Sequence, residues 1–122
     1  MGAGGIWGLA DGVAAGAAEN TTTLYRAVSY AEYDEITATG VLRAGPNSYE
    51  FGKFFAETGE NAAQWGTRLE GAGNFRVIEV QFPTSTANQF QLFQNLDGIG
   101  PARFGTFEQL GQPSIKLWPG SP

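Results

Sequence analysis

Phe54, Phe55 and Trp65 are the residues whose type and spacing point most directly to chemistry. They lie in the stretch Gly52-Lys53-Phe54-Phe55-Ala56-Glu57-Thr58-Gly59-Glu60-Asn61-Ala62-Ala63-Gln64-Trp65-Gly66. Side chains alternate along a strand, so Phe54 and Phe55 point to opposite faces, one into a core and the other toward a cleft. Trp65 falls on a helix that returns beside the same strand, and two flat rings so placed can bracket a planar ring. In an arbitrary chain the same pattern is a core strand against a core helix, because apolar runs usually mean burial.

The composition removes several chemistries. The chain of 122 residues has no His and no Cys. The usual general base, the usual zinc ligands, thiolate sites and disulfides are therefore absent. A formal net charge of -5, with seven scattered Lys and Arg, argues against a nucleic-acid surface, which needs clustered positive charge. No apolar run approaches the ~18 residues of a membrane-spanning helix. The length suits one domain with one core, and 18 glycines with 13% aromatics point to strands and turns rather than a helical bundle.

The elements that must position the aromatics are legible in outline. Residues 1–22 read as a Gly/Ala-rich arm or linker, without the positive start of a signal peptide, and residues 23–122 as one domain. Thr23 to Val28 is expected to be a strand carrying Arg26. Ser29-Tyr30-Ala31-Glu32 has the form of a capping box opening a helix, with Tyr33 and Ile36 on one side and Gly40 as its stop. Val41 to Arg43 reads as a short strand and Ala44 to Tyr49 as a loop. Lys53 to Ala56 is the central strand, and Thr58 caps the helix bearing Trp65, with Glu60 in its first turn.

Phe75 to Phe82 is the strongest strand pattern, stopped by Pro83. Phe75, Val77, Glu79 and Gln81 share one face, with Glu79 read as structural, and Arg76, Ile78, Val80 and Phe82 share the other. A helical turn is expected within Thr86 to Leu96. The stretch from Asn95 to Phe104 reads as a turn-rich loop in which Asp97 serves the turn through its own backbone. Thr106 to Leu110 suits one helical turn, and Ser114 to Trp118 a closing strand.

The central stretch resembles ADP-ribosyltransferases of the poly(ADP-ribose) polymerase type, whose Gly-Lys-Gly-Ile-Tyr-Phe-Ala begins a strand. With one residue deleted, Phe54 falls at that family's first nicotinamide-stacking tyrosine, and Trp65 falls at the second aromatic. Ala62 and Ala63 match the small residues that let the helix pack closely. Nicotinamide in NAD is cationic, so an aromatic sandwich binds it by stacking and cation–π attraction. The order of elements is also similar to that fold, and Arg26 in Leu24-Tyr25-Arg26-Ala27-Val28-Ser29 occupies the place of the family's first signature residue, His or Arg. A guanidinium offers five donors suited to ribose hydroxyls or pyrophosphate. Arg-type toxins of this fold carry Ser-Thr-Ser on the central strand where this chain has Phe54-Phe55-Ala56. The first motif is thus toxin-like and the second polymerase-like.

The resemblance implies an α+β fold of two small antiparallel sheets forming an NAD cleft, flanked by short helices. Arg26, Ala27, Phe54, Phe55 and Trp65 would contact NAD, and a carboxylate near the last strand would stabilise the ribosyl cation. Glu108 is the nearest acid there, with Gln112 the alternative. The short chain and its arm look like the C-terminal tip of a bacterial polymorphic toxin of the rearrangement-hotspot type. That implies a monomeric mono-ADP-ribosyltransferase of the glycosyltransferase class, secreted or delivered into a competing or host cell and acting in its cytoplasm. Its acceptor would be a macromolecule, protein rather than nucleic acid, and it would have a cognate immunity protein and no membrane partner. With water as acceptor the same site is an NAD glycohydrolase. An ADP-ribosyltransferase-like fold without its Glu would be a binding module.

Overall fold

A computed structural model describes residues 20–45 and 50–122. The arm therefore lies outside the described residues up to position 19, as do positions 46–49 of the expected loop. The element order is β1 (Thr21–Val28), α1 (Tyr30–Thr39), β2 (Gly52–Ala56), α2 (Gly59–Glu70), β3 (Arg76–Pro83), α3 (Thr84–Ala87), β4 (Gln91–Leu96), β5 (Gly100–Thr106), α4 (Phe107–Leu110) and β6 (Ser114–Leu117). The fold is α+β. No helix among the described residues is long and apolar enough to cross a membrane.

The local signals act largely as their chemistry dictates. The Ser29 hydroxyl accepts from Glu32 N and opens α1, which stops at Gly40 with φ 75°. Thr58 opens α2 by accepting from Asn61 N. Thr106 and Gln109 form a reciprocal capping box on α4. Val41 to Arg43, expected as a strand, belongs to none of the described strands.

Two further expectations are corrected around Thr86 to Phe104. The short helix there comes earlier, as α3, and Gln91–Leu96 is strand β4. The expected loop is largely strand β5, so β4 and β5 make an antiparallel hairpin. Its turn is Asp97-Gly98, with φ 56° and 72°, the paired positive values of a type I′ hairpin turn. Pro101 is accommodated by a bulge. Phe93 pairs with Ala102 and Leu96 with Gly100, so Gln94 and Asn95 together oppose Pro101, a place where a missing N–H costs no ladder bond.

The strands form one six-stranded antiparallel sheet in the order β4-β5-β2-β1-β3-β6, not the two sheets expected. The reason lies at its centre. β1 pairs with β3 at eight positions and β2 with β5 at five, but β1 meets β2 only at Tyr25 and Ala56. That single pairing joins two three-stranded halves into one sheet.

Both faces of the sheet are covered. On one side Leu24, Val28, Phe55, Ile78, Val80 and Phe82 pack with Ile36 of α1, Ala87 of α3 and Leu110 of α4. Phe55, Phe82 and Phe90 form its aromatic centre, with edge contacts of 5.3 and 5.0 Å between ring centroids about Phe82. On the other side Ala56, Phe75 and Val77 pack with Ala62 of α2, flanked by Tyr25, Trp65 and Trp118. Gly66 makes the close approach of α2 possible, because a Cβ there would sit 2.4 Å from the Phe75 ring.

Candidate functional site

A cleft of about 270 Å³ opens between α2, the β1–β2 seam and the β4–β5 hairpin. Ala56, Ala62 and Ala102 border it with small side chains, so the larger neighbours shape its walls. Phe54 and Trp65 both line it. Phe54 is half exposed and rests on the hairpin, with its ring centroid 4.8 Å from Phe104 and 5.8 Å from Phe93. Those contacts restrict the ring while leaving part of it open. Phe55 borders the cleft as well, but its ring is fully buried in the opposite core. The alternation of the strand thus sends one phenylalanine to each side.

Trp65 is partly buried, and its indole edge is tied down. Nε1 donates to Asp97 Oδ2 at 3.2 Å, while Arg68 Nη1 donates to the Asp97 carbonyl at 2.8 Å. Residues 65 and 68 lie one turn apart on α2, so both grip the tip of the hairpin. Asp97 is therefore a turn residue, as the sequence indicates, and also part of the cleft wall. The Asp-Gly pair between two alternating runs was the signal for its position.

Arg26 and Ala27 line the cleft from β1. The guanidinium makes a two-pronged ion pair with Glu32, Nε to Oε2 at 2.9 Å and Nη2 to Oε1 at 3.0 Å. Nη1 also donates to Phe54 O at 3.1 Å, so the side chain crosses the seam that backbone pairing leaves open. Glu32 thus contributes its N–H to the helix cap and its carboxylate to Arg26, where a full capping box was expected. The same carboxylate lies 3.6 Å from Lys53 Nζ, which is 3% exposed and also bonds Glu50. Arg26, Glu32, Lys53 and Glu50 form one charge-balanced chain behind the seam. A planar fork held on three sides is fixed in orientation, and two of its five N–H groups stay unspent.

Glu108 and Gln112 are both exposed and line no part of this cleft. Glu108 belongs to α4, which follows β5 where Thr106 pairs with Gly52. The cleft lies toward the other end of β2, where Ala56 pairs with Ala102, about 13 Å along the strand at its usual rise. The last strand, β6, lies at the sheet edge beside β3. The structure brings together Arg26, Ala27, Phe54 and Trp65, adds Asp97, and leaves Glu108 and Gln112 outside. No group of three or more acidic residues among those described could hold a metal.

Chemically, the site offers two partly open aromatic faces, one fixed guanidinium and one carboxylate. These suit a planar ring joined to a polar, hydroxyl-bearing or anionic group. Comparison with protein-family models, with characterised proteins and with solved structures finds no match for this chain.

Proposed function

We propose that this cleft takes NAD and that the domain is an ADP-ribosyltransferase of the Arg type. The observation that carries the reading is the convergence of Phe54 and Trp65 on one cleft with Arg26 at its seam. The resemblance assigns Phe54 and Trp65 from one motif and Arg26 from another, and a common cleft is what their joint role requires. At about 270 Å³ the space is close to the ~300 Å³ lower bound of small-molecule pockets. It suits nicotinamide and part of its ribose, with the remaining dinucleotide extending past Arg26.

Nicotinamide would lie against Phe54 and Trp65, and Arg26 would hold ribose or phosphate oxygens. In the reaction the bond from the anomeric carbon to the ring nitrogen breaks, and nicotinamide leaves with the bonding pair. A nucleophile on the acceptor then bonds that carbon and gives its proton to solvent. Fixed dipoles and charges matter here because positive charge grows on the ribosyl group. The toxin role, delivery into a target cell, protein acceptor and immunity partner belong to the same proposal through the resemblance.

A second reading is a domain that binds the dinucleotide without cleaving it. It draws on the position of Glu108 and Gln112 outside the cleft. One experiment separates the alternatives: the protein is incubated with NAD, with and without cell lysate, and free nicotinamide is measured. Release that depends on lysate supports the transferase. Release without lysate makes it a glycohydrolase, and saturable binding without release makes it a binding module. The absence of both binding and release would overturn the NAD reading.

A further inference from the structure

A free arginine side chain samples many rotamers, and a ligand that recruits one must order it on binding. Arg26 is already ordered. Glu32 accepts from its Nε at 2.9 Å and from Nη2 at 3.0 Å, and Phe54 O accepts from Nη1 at 3.1 Å. Two parallel bonds to one carboxylate fix the plane of the guanidinium as well as its position. Each terminal nitrogen has spent one N–H and keeps one. Glu32 is in turn held from two further sides. Its main-chain N–H donates to Ser29 Oγ at 3.1 Å, which sets it in the first turn of α1. Nζ of the buried Lys53 stands 3.6 Å from the same carboxylate oxygen that accepts from Arg26 Nε. Ser29, Glu32 and Lys53 all lie outside the cleft lining.

We infer that Glu32 is a positioning residue: it holds the Arg26 guanidinium ready for the ligand and does not touch the ligand itself. The inference rests on the dinucleotide reading and brings into the site a residue of α1, a helix with no share in the cleft wall. The chain from the Ser29 cap through Glu32 to Arg26 lets the start of α1 set the direction of the remaining N–H groups. Glu32 also offsets the charge of Arg26, so Arg26 brings a ligand direction more than net charge. The ordering cost of a long side chain is met on folding, before a ligand arrives.

The test uses a carbocyclic NAD analogue, which keeps the cationic ring and is not cleaved during measurement. Calorimetry gives its affinity for the unmodified protein, Glu32→Gln, Arg26→Ala and the double variant. Titrations are run at about 1 M salt, where the Debye length is about 3 Å and the charge released on Arg26 is screened. Glu32→Gln keeps the side-chain length and the main-chain cap bond while breaking the two-pronged pair. It is expected to weaken the analogue about three- to tenfold, the cost of ordering one long side chain on binding instead of beforehand. On the Arg26→Ala background, where the Phe54 and Trp65 rings remain, the same change is expected to have no effect, because Glu32 acts through Arg26. Side-chain NMR adds a reading that involves no ligand: separate Nη proton signals of Arg26 in the unmodified protein, merged by free rotation in Glu32→Gln. Undiminished affinity in Glu32→Gln, or an equal loss on both backgrounds, overturns the positioning role and leaves the dinucleotide reading standing. Merged Nη signals in the unmodified protein overturn it too, whatever the ligand. Separate Nη signals in a protein that does not bind the analogue overturn the dinucleotide reading and this inference with it.

Discussion

Arg26 shows how a residue can be functional in type and still be built into the structure. Three of its N–H groups are used by Glu32 and Phe54, yet its removal leaves Glu32 beside Lys53. Arg26→Ala is therefore expected to remain folded and to lose NAD turnover, as circular dichroism and nicotinamide release would show. Lys53 is the opposite case. It is 3% exposed beside two partly exposed carboxylates, of which Glu32 keeps Arg26, and Lys53→Met removes that buried donor at a cost of about 1–3 kcal/mol in denaturant unfolding. For Trp65, partial burial in the cleft wall predicts that Trp65→Ala costs less than the roughly 3–5 kcal/mol of a fully buried aromatic. NAD should quench tryptophan emission in the unmodified protein and not in Trp65→Phe. Full-sized destabilisation with unaltered NAD affinity would make Trp65 ordinary core.

At the scale of elements, the sequence was readable where one local signal decides the outcome. Ser29, Thr58 and Thr106 each cap a helix, Gly40 ends one, and the alternation of Arg76–Pro83 buries Val77 on one face and Ile78, Val80 and Phe82 on the other. It was unreadable where pairing overrides composition. β5 contains Gly100, Pro101 and Gly105, poor strand formers whose place is set by neighbours on both sides and by a bulge opposite the proline. The same override hid the carboxylate of the cleft, because Asp97 reads locally as a turn residue and its bond to Trp65 spans 32 positions. Gly98 tests the turn itself. A Cβ there meets nothing within 4 Å, but φ is 72°, so Gly98→Ala should cost about 1 kcal/mol from backbone strain alone. A thermal midpoint lower by several degrees supports this, and an unchanged midpoint would contradict the turn.

At the scale of the whole molecule, the sheet is two three-stranded halves joined at one pairing, Tyr25 with Ala56. The expectation of two sheets missed that join, because register between distant strands leaves no trace in either strand alone. The weak seam is where the cleft opens and where Arg26 crosses. Amide exchange should be slowest along the eight-position β1–β3 ladder and faster for β1 amides facing β2. The site then depends on the relative placement of the halves, since Arg26 comes from one, Phe54 and Asp97 from the other, and α2 brings Trp65 across. The most direct test is a crystal structure of the domain with the carbocyclic NAD analogue. The expected result is a nicotinamide ring between Phe54 and Trp65, at the ~4.5–7 Å centroid spacing of aromatic pairs, with ribose or phosphate oxygens on Arg26. A nicotinamide bound elsewhere, with the Phe54 and Trp65 faces left uncovered, would contradict it.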